Sequence, residues 1–110
     1  MHIKDQNRLE SILDAILKIE SYTEPFQNAD QLNGNNIAFD ATMMNFVIIG
    51  EMVAKLSDSF KEQYSEIEWY KIKGLRNIAA HDYFGIDAEE VWQIIHNNLP
   101  PLKRFIQKLI

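Results

Sequence analysis

The chain has 110 residues, of which 46% are hydrophobic and 25% charged, a composition that fits one globular domain with its own core. It contains no cysteine, which excludes thiolate catalysis, disulfide bridges and cysteine-ligated zinc. The net charge of −5 argues against a protein that coats nucleic acid through a broad basic face. Charged residues interrupt the N-terminal apolar positions, so no signal peptide or membrane span is visible there. We therefore expect a cytoplasmic protein with a single domain over residues 1–110.

The charge is unevenly distributed along the chain. Residues 1–70 hold five Lys/Arg and twelve Asp/Glu, a balance of −7, whereas residues 71–110 hold six and four, a balance of +2. In the second part, Lys71, Lys73 and Arg76 lie close together in the sequence. This cluster predicts a local site for an anion, although a solvated helix face is the alternative for any one of the lysines.

The first half of the chain predicts two long helices. Apolar residues at spacings of three and four predict a helix over about residues 6–22, with Asp5 as its possible N-terminal cap. A short helical piece is expected over residues 25–31, and the turn signal of residues 33–36 follows it. Residues 40–56 are apolar on nearly every side, which is typical of a helix at the centre of a bundle or in a subunit interface. Within it, Gly50 suggests that another backbone approaches closely. Glu51 is expected to face water, with a role at a site as the alternative.

The second half predicts three further helices. Apolar spacing predicts one long helix from Trp69 to about His81, a turn over residues 84–87, and a fourth helix that Asp87 caps. Pro100-Pro101 is expected to break the chain before a short fifth helix over residues 102–109. No pattern of alternating strand residues competes with these helices. The predicted fold is therefore all-α, an antiparallel bundle of four to five main helices.

One cluster, at the end of the third predicted helix, carries chemically capable side chains. Arg76 offers a permanently charged planar fork of donors that suits phosphate. His81 has an ordinary pKa near neutrality, which suits proton transfer, and Asn77 and Tyr83 add an amide and a phenol. With no evident set of metal ligands and no cofactor expected, phosphodiester cleavage would best use the ribose 2′-hydroxyl, which RNA carries and DNA does not.

The helical spacing of this cluster leaves two arrangements open. Positions 77 and 81 lie one turn apart on nearly the same face, whereas positions 76 and 81 diverge by about 140° around a straight helix. Either the helix ends near His81 and the chain turns, or a second subunit supplies the missing members of each site. By composition alone, a packing and capping arrangement of these residues is more common than a catalytic one.

A wider set of landmarks resembles the HepT-like branch of the HEPN superfamily. The landmarks are, in order, residues 45–51 (NFVIIGE), residues 69–77 (WYKIKGLRN), residues 81–84 (HDYF) and Val91-Trp92. The pattern of Arg76, four residues, His81, one residue and Tyr83 resembles the superfamily's signature. Asp82 departs from it, since many members carry a small or different residue there, and we expect its carboxylate to repel RNA.

This resemblance implies a HEPN-like helical domain that dimerises, so that motif residues of both subunits face a shared cleft. It implies metal-independent endoribonuclease activity with Arg76 and His81 as catalytic residues, and Asn77, Lys73 and Tyr83 as residues that bind or orient RNA. It also implies a toxin–antitoxin pair, in which a small MntA-like nucleotidyltransferase neutralises the toxin by transferring AMP to Tyr83.

Two functions remain open from the sequence. In the first, the chain is a ribonuclease toxin, which the complete Arg, His and Tyr set favours. In the second, it is a non-catalytic subunit that presents a nucleotide or substrate to a nucleotidyltransferase, which the acidic net charge favours. A metal site formed by His81, Asp82 and His96 matches no known ligand spacing, so no metal is expected.

Overall fold

The computed structural model describes residues 1–81 and 87–110, without the side chains of residues 80 and 81. The helices of this part of the chain are α1 (Ile3–Thr23), α2 (Ala29–Asn33), α3 (Asn36–Lys55), α4 (Asp58–Gln63), α5 (Trp69–Lys73), α6 (Leu75–His81), α7 (Ala88–Gln93), a π-helical segment (Ile94–Asn98) and α8 (Leu99–Leu109). No strand occurs among the described residues. The predicted all-α helical bundle is confirmed.

Helices α1 and α3 form the centre of the bundle and pack along each other. They run antiparallel, because the beginning of α1 borders the same hollow as Met52 and Lys55 at the end of α3. Phe46 and Ile49 of α3 and Ile12 and Ile16 of α1 are fully buried between the helices of the core. The predicted first helix and central helix are thus confirmed, with ends within a few residues of those expected.

The sequence suggested Asp5 as the N-terminal cap of α1, but Asp5 does not cap this helix. His2 is the N-cap, and its Nδ1 accepts a hydrogen bond from the Lys4 backbone N–H. Asp5 lies in the first turn of α1 and is 3% exposed, and its carboxylate accepts hydrogen bonds from the backbone N–H and the hydroxyl of Ser57 at 2.9 and 2.5 Å. Asp5 therefore ties the start of α1 to the junction after α3.

Helix α4, which the sequence analysis missed, begins at this junction. Ser57 is its N-cap, and the Ser57 hydroxyl accepts a hydrogen bond from the Phe60 N–H. Phe60 then packs against Trp69, with ring centroids 5.8 Å apart, and Trp69 packs against Phe105 of α8 at 5.9 Å. The Trp69 Nε1–H donates to the Tyr64 carbonyl. These contacts fix the start of α5 against the rest of the bundle.

The predicted single helix from Trp69 to His81 is wrong in one respect, because Gly74 divides it into α5 and α6. The Gly74 N–H closes α5 by donating to the carbonyls of Tyr70 and Ile72. The Asn77 N–H then donates to the Gly74 carbonyl, one residue short of the α-helical pattern. Glycine is a weak helix former, and here the interruption lets the chain start α6 against α3.

Pro100-Pro101 does not break the chain, contrary to the prediction. Both prolines lie in the first turn of α8, where a missing backbone N–H costs little. The preceding π-helical segment shifts the hydrogen-bond register, since the Leu99 N–H donates to the Ile94 carbonyl five residues back. Residues 88–109 thus form one helical arm with a local change of pitch.

Helix α3 is also the one helix among the described residues that is long and apolar enough to cross a membrane by length and composition. The most apolar window of α3 has a mean hydropathy of 1.5 and is 44% buried inside the bundle. The core helix of a soluble protein meets the same criterion.

Candidate functional site on helix α6

Helix α6 presents two different faces. Leu75 and Ala79 are buried, 5% and 6% exposed, and Ile78 packs against the core. Arg76 is partly exposed and Asn77 is exposed. The apolar residues therefore seat α6 on the bundle, and the two polar residues of the predicted site face outward.

Helix α6 runs antiparallel to α3 in close contact. At one end, a Cβ added to Gly50 would lie 2.8 Å from both the Cβ and the backbone nitrogen of Arg76, and 2.9 Å from the Lys73 carbonyl oxygen. At the other end, Ala79 borders a hollow of about 300 Å³ that Met43 and Met44 also line. Only glycine leaves room for this approach at position 50. The close backbone contact expected there is confirmed.

The close approach brings Arg76 to Glu51. The Arg76 Nη1 lies 2.9 Å from the Glu51 Oε1, and the two side chains are 37% and 39% exposed. The sequence favoured a water-facing Glu51 over a role at a site, and this pairing was missed. The sequence feature that could have indicated the pairing was the combination of Gly50 and Glu51 inside an otherwise apolar helix. The glycine indicates that another backbone approaches, and the carboxylate is the next residue.

The remaining described cations of this region differ in their surroundings. Lys71 pairs with Glu68 at 2.9 Å, and the hydrogen bond from Lys71 to that carboxylate raises the pKa of Lys71 above its ordinary value. Lys73 is exposed at the end of α5, one residue before Gly74. Lys73, Arg76 and Asn77 thus lie within two turns on the outer side of the α5–α6 segment.

The other predicted site residues lie partly or wholly outside the described residues. Residue 81 ends α6, but its side chain is not among those described, and neither Tyr83 nor Asp82 is. Because α6 extends unbroken from Leu75 to His81, positions 76 and 81 lie about 140° apart around its axis. The chain does not turn between these two positions, and the turn that the sequence placed beyond His81 lies outside the described residues.

An exposed apolar strip of α3 borders α6 at Met44, which lines the hollow beside Ala79, and borders α1 at Ile48 and Met52. Ile37 and Met44 are 85% and 61% exposed, and Ile48 and Met52 continue the strip as partly buried residues. These positions recur at spacings of four and seven, so they share one side of α3. Glu51 and Lys55 are the charged residues nearest to this strip on the last turns of α3.

Among the described residues, no group of three or more His, Asp or Glu side chains is placed to hold a metal ion. His96, one of the residues considered from the sequence, hydrogen-bonds through its Nδ1 to the Trp92 carbonyl at 2.8 Å. Its ring packs on the Trp92 ring, with centroids 4.2 Å apart. Both of these contacts join His96 to Trp92, one turn earlier in the same helical arm.

Comparisons with known proteins place the chain in one family. The model of a family described as Ribonuclease HepT-like matches residues 12–109. A protein of Thermococcus cleftensis named "Probable ribonuclease HepT" is 33% identical over 101 residues, which is 92% of this chain and 91% of that protein. A protein of Methanocaldococcus jannaschii named "Gamma-glutamylcyclotransferase and putative RNase MJ0434" is 32% identical over 102 residues, and the chain spans 46% of its length. No solved structure is a significant match.

Proposed function

The chain belongs to the Ribonuclease HepT-like family, and from this premise we propose that it is a metal-independent endoribonuclease. The observation that carries the proposal is the placement of Arg76, whose guanidinium is held at the surface of α6 and remains 37% exposed. A guanidinium in that position offers a fixed positive charge and a planar set of donors to a phosphate. Exposed Lys73 nearby adds positive charge to an otherwise acidic chain.

In the proposed reaction the substrate supplies the nucleophile. The ribose 2′-oxygen attacks the adjacent phosphorus, the new O2′–P bond forms, and the P–O5′ bond breaks. His81 takes the proton from the 2′-hydroxyl or gives one to the leaving 5′-oxygen, and Arg76 stabilises the charge that grows on the phosphate oxygens. Asn77, Lys73 and Tyr83 bind or orient the RNA. The products are a 2′,3′-cyclic phosphate and a 5′-hydroxyl.

The separation of positions 76 and 81 around α6 favours a site shared by two copies of the chain. A partner subunit on the exposed strip of α3, which contains Ile37 and Met44, would lie directly beside α6. Exposed apolar patches of this kind commonly mark protein–protein contacts. We therefore propose a homodimer in which the motif residues of both copies face one cleft.

The dimer is tested by size-exclusion chromatography with light scattering on Met44→Glu. We expect a monomer that remains folded by circular dichroism, because the substitution places a charge in the proposed contact. Leu17→Glu is the matched control, since Leu17 of α1 is also a large apolar residue, 44% exposed, and its substitution should leave the dimer intact. A dimer that persists in Met44→Glu, or a wild-type monomer, contradicts this arrangement.

The enzymatic proposal is tested by incubating the purified protein with single-stranded and transfer RNA in the presence of EDTA. We expect fragments with 2′,3′-cyclic phosphate ends, and we expect Arg76→Ala and His81→Ala each to lower the rate by about a hundredfold or more. Cleavage by His81→Ala at the wild-type rate would falsify the assignment. Intact RNA with the wild-type protein would instead support the non-catalytic nucleotide-binding subunit, which the acidic net charge favours.

We further propose that the chain is the toxin of a toxin–antitoxin pair in the cytoplasm, with a small nucleotidyltransferase of the MntA type as its antitoxin. The Tyr83 oxygen would attack the α-phosphate of ATP, form an O–P bond and release pyrophosphate. The added phosphate and nucleotide would place negative charge and bulk near Arg76. Support comes from the sequence resemblance alone. Intact-mass measurement after co-expression with the nucleotidyltransferase should show AMP additions that are absent from Tyr83→Phe.

A further inference from the structure

We infer that Glu51 is a positioning residue for Arg76, which holds the guanidinium in the orientation that the transition state of RNA cleavage requires. The inference rests on the proposed ribonuclease function and adds to it a residue on another helix, 25 positions earlier in the chain. The ion pair alone does not carry it, because exposed ion pairs of this kind are common and contribute little to stability. The surroundings of the pair distinguish it.

The first observation is the backbone contact beneath the pair. A glycine inside a helix costs about 1 kcal/mol relative to alanine. At position 50, however, an added Cβ would lie 2.8 Å from the Arg76 backbone nitrogen and 2.9 Å from the Lys73 carbonyl oxygen, so a larger residue does not fit. The Arg76 backbone is therefore fixed against α3. Because Glu51 is the next residue on α3, its carboxylate and the guanidinium start from backbones whose relative position is set.

The second observation is that Glu51 occupies only part of the hydrogen-bonding capacity of the Arg76 guanidinium. Glu51 Oε1 accepts from Nη1 at 2.9 Å, which engages one of the five N–H donors of an arginine. The guanidinium is planar, so fixing one of its nitrogens restricts the direction of all the others. The pair is also more than a third exposed on both sides, so a phosphate can approach Arg76 while Glu51 remains bound.

Glu51 should affect binding and catalysis in opposite directions. Its negative charge lies beside the group that binds the phosphate, and it therefore weakens the binding of RNA in the ground state. The orientation it gives Arg76 favours the transition state, in which the phosphate charge is largest. Removing Glu51 should lower KM and lower kcat together, whereas a loss of folded protein lowers only the apparent kcat.

Two substitutions separate the charge from the hydrogen bond. Glu51→Ala removes both, and Glu51→Gln removes the charge but keeps an oxygen that can accept from Nη1. Glu20→Ala is the matched control: Glu20 pairs with Lys103 at 2.9 Å, and the Glu20 side chain is also 39% exposed. Steady-state cleavage of a short RNA is measured for all three variants, with thermal melting to confirm that each is folded.

We expect Glu51→Ala to lose about tenfold or more in kcat, on the scale of a misplaced transition-state contact, with a lower KM. Glu51→Gln should recover most of the wild-type kcat and keep the lower KM. Glu20→Ala should match the wild type in both constants. A Glu51→Ala enzyme with the wild-type kcat, or a Glu51→Gln enzyme as slow as Glu51→Ala, overturns the inference.

Binding of an RNA whose 2′-hydroxyls are methylated supplies a measurement that does not depend on cleavage. Glu51→Ala should bind it about two- to fivefold more tightly than the wild type, because the neighbouring carboxylate no longer partly neutralises the Arg76 charge. The gain should disappear when Arg76 is also replaced by alanine, since Glu51 acts through that residue. An equal gain with and without Arg76 overturns the inference. If the wild type does not cleave RNA, the proposed function fails, and this binding cycle still decides the role of Glu51.

Discussion

Two ion pairs in this protein have the same shortest nitrogen–oxygen distance and very different surroundings. Arg76 and Glu51 join α6 to α3, and Lys103 and Glu20 join α8 to α1, each with a nitrogen–oxygen distance of 2.9 Å and a carboxylate side chain 39% exposed. Gly50 lies beside the first pair and admits the backbone of Arg76. Neither residue of the second pair has a glycine as a sequence neighbour.

The two pairs cannot be distinguished by their length, so length alone gives no support to the site proposed at Arg76. Exposed pairs of either kind contribute about 0–1 kcal/mol to stability. The difference lies in what fixes the backbone under the charged side chains, and in whether the cation is one that binds phosphate through a planar fork. Substitutions at the two pairs should therefore have different effects on RNA cleavage.

The largest expected effect comes from replacing the cation of each pair, in separate variants, by the other basic residue. Arg76→Lys keeps the positive charge and can keep a contact with Glu51, but it loses the planar fork that binds two phosphate oxygens together. We expect kcat/KM for RNA cleavage to fall by about tenfold to a hundredfold. Lys103→Arg is the matched exchange at the other pair and should leave kcat/KM unchanged. Equal activity of the two variants would mean that Arg76 acts only as a charge.

The next effect concerns the backbone contact. Gly50→Ala places a methyl group within 3 Å of the Arg76 backbone, so α6 must move away from α3, and we expect a loss of about 1–3 kcal/mol in the free energy of unfolding. Activity should fall further than the folded fraction does, because Arg76 moves relative to Glu51. The measurement combines urea unfolding with cleavage kinetics.

Gly34→Ala is the control for this substitution. An added Cβ at Gly34 would lie 3.3 Å from the Asp30 carbonyl oxygen as its nearest neighbour, and Gly34 ends α2 with a negative φ of −73°. We expect its effect on stability to be within a few tenths of a kcal/mol and its activity to be that of the wild type. A Gly50→Ala protein as stable and active as Gly34→Ala would show that the close approach is dispensable.

A third prediction uses a buried carboxylate as the contrast to both exposed pairs. Burial raises the pKa of Asp5, but the hydrogen bonds from Ser57 and the charge of Arg8 lower it by a larger amount. The pKa therefore lies below its ordinary value of 3.8. A carboxyl group whose pKa is lowered by folding stabilises the protein above the pKa of the unfolded chain, and that contribution is lost as the pH falls through the lower, folded value.

Asp5→Asn should therefore cost about 1–2 kcal/mol of unfolding free energy at pH 7, and the difference from the wild type should shrink as the pH falls below 4. Urea unfolding at pH 7 and pH 3 measures it. The matched substitution Glu20→Gln should differ little from the wild type at either pH. A cost for Asp5→Asn that is equal at both pH values would show that shape, and not charge, explains the contact with Ser57.

Much of the fold could be predicted from the sequence because helical periodicity is local. The spacing of Leu9, Ile12 and Ile16 predicted α1, and the apolar run around Phe46 predicted α3. The errors occurred where a longer-range condition decides the outcome. Pro100 and Pro101 continue a helix because a π-helical segment precedes them, and α4 was missed because its few residues carry no periodic pattern.

The site could be predicted only in part for the same reason. The residue types and spacing of Arg76 and Asn77 pointed to α6, and Gly50 pointed to a close backbone contact, which is confirmed. The partner of that contact could not be read from the sequence, because it depends on the register of α6 along α3. Glu51 was therefore assigned to water, although it lies against Arg76.

The smallest expected effect is a double-mutant cycle on Lys103 and Glu20. Both side chains are long and partly exposed, 27% and 39%, so the entropy lost in holding them together offsets most of their attraction. We expect a coupling of about 0–1 kcal/mol in unfolding free energy and none in kcat. The same cycle on Arg76 and Glu51 should give a similar coupling in stability but a clear one in kcat. If both pairs couple in kcat, the effect of Glu51 is a general consequence of surface charge, and its contact with Arg76 loses its special role.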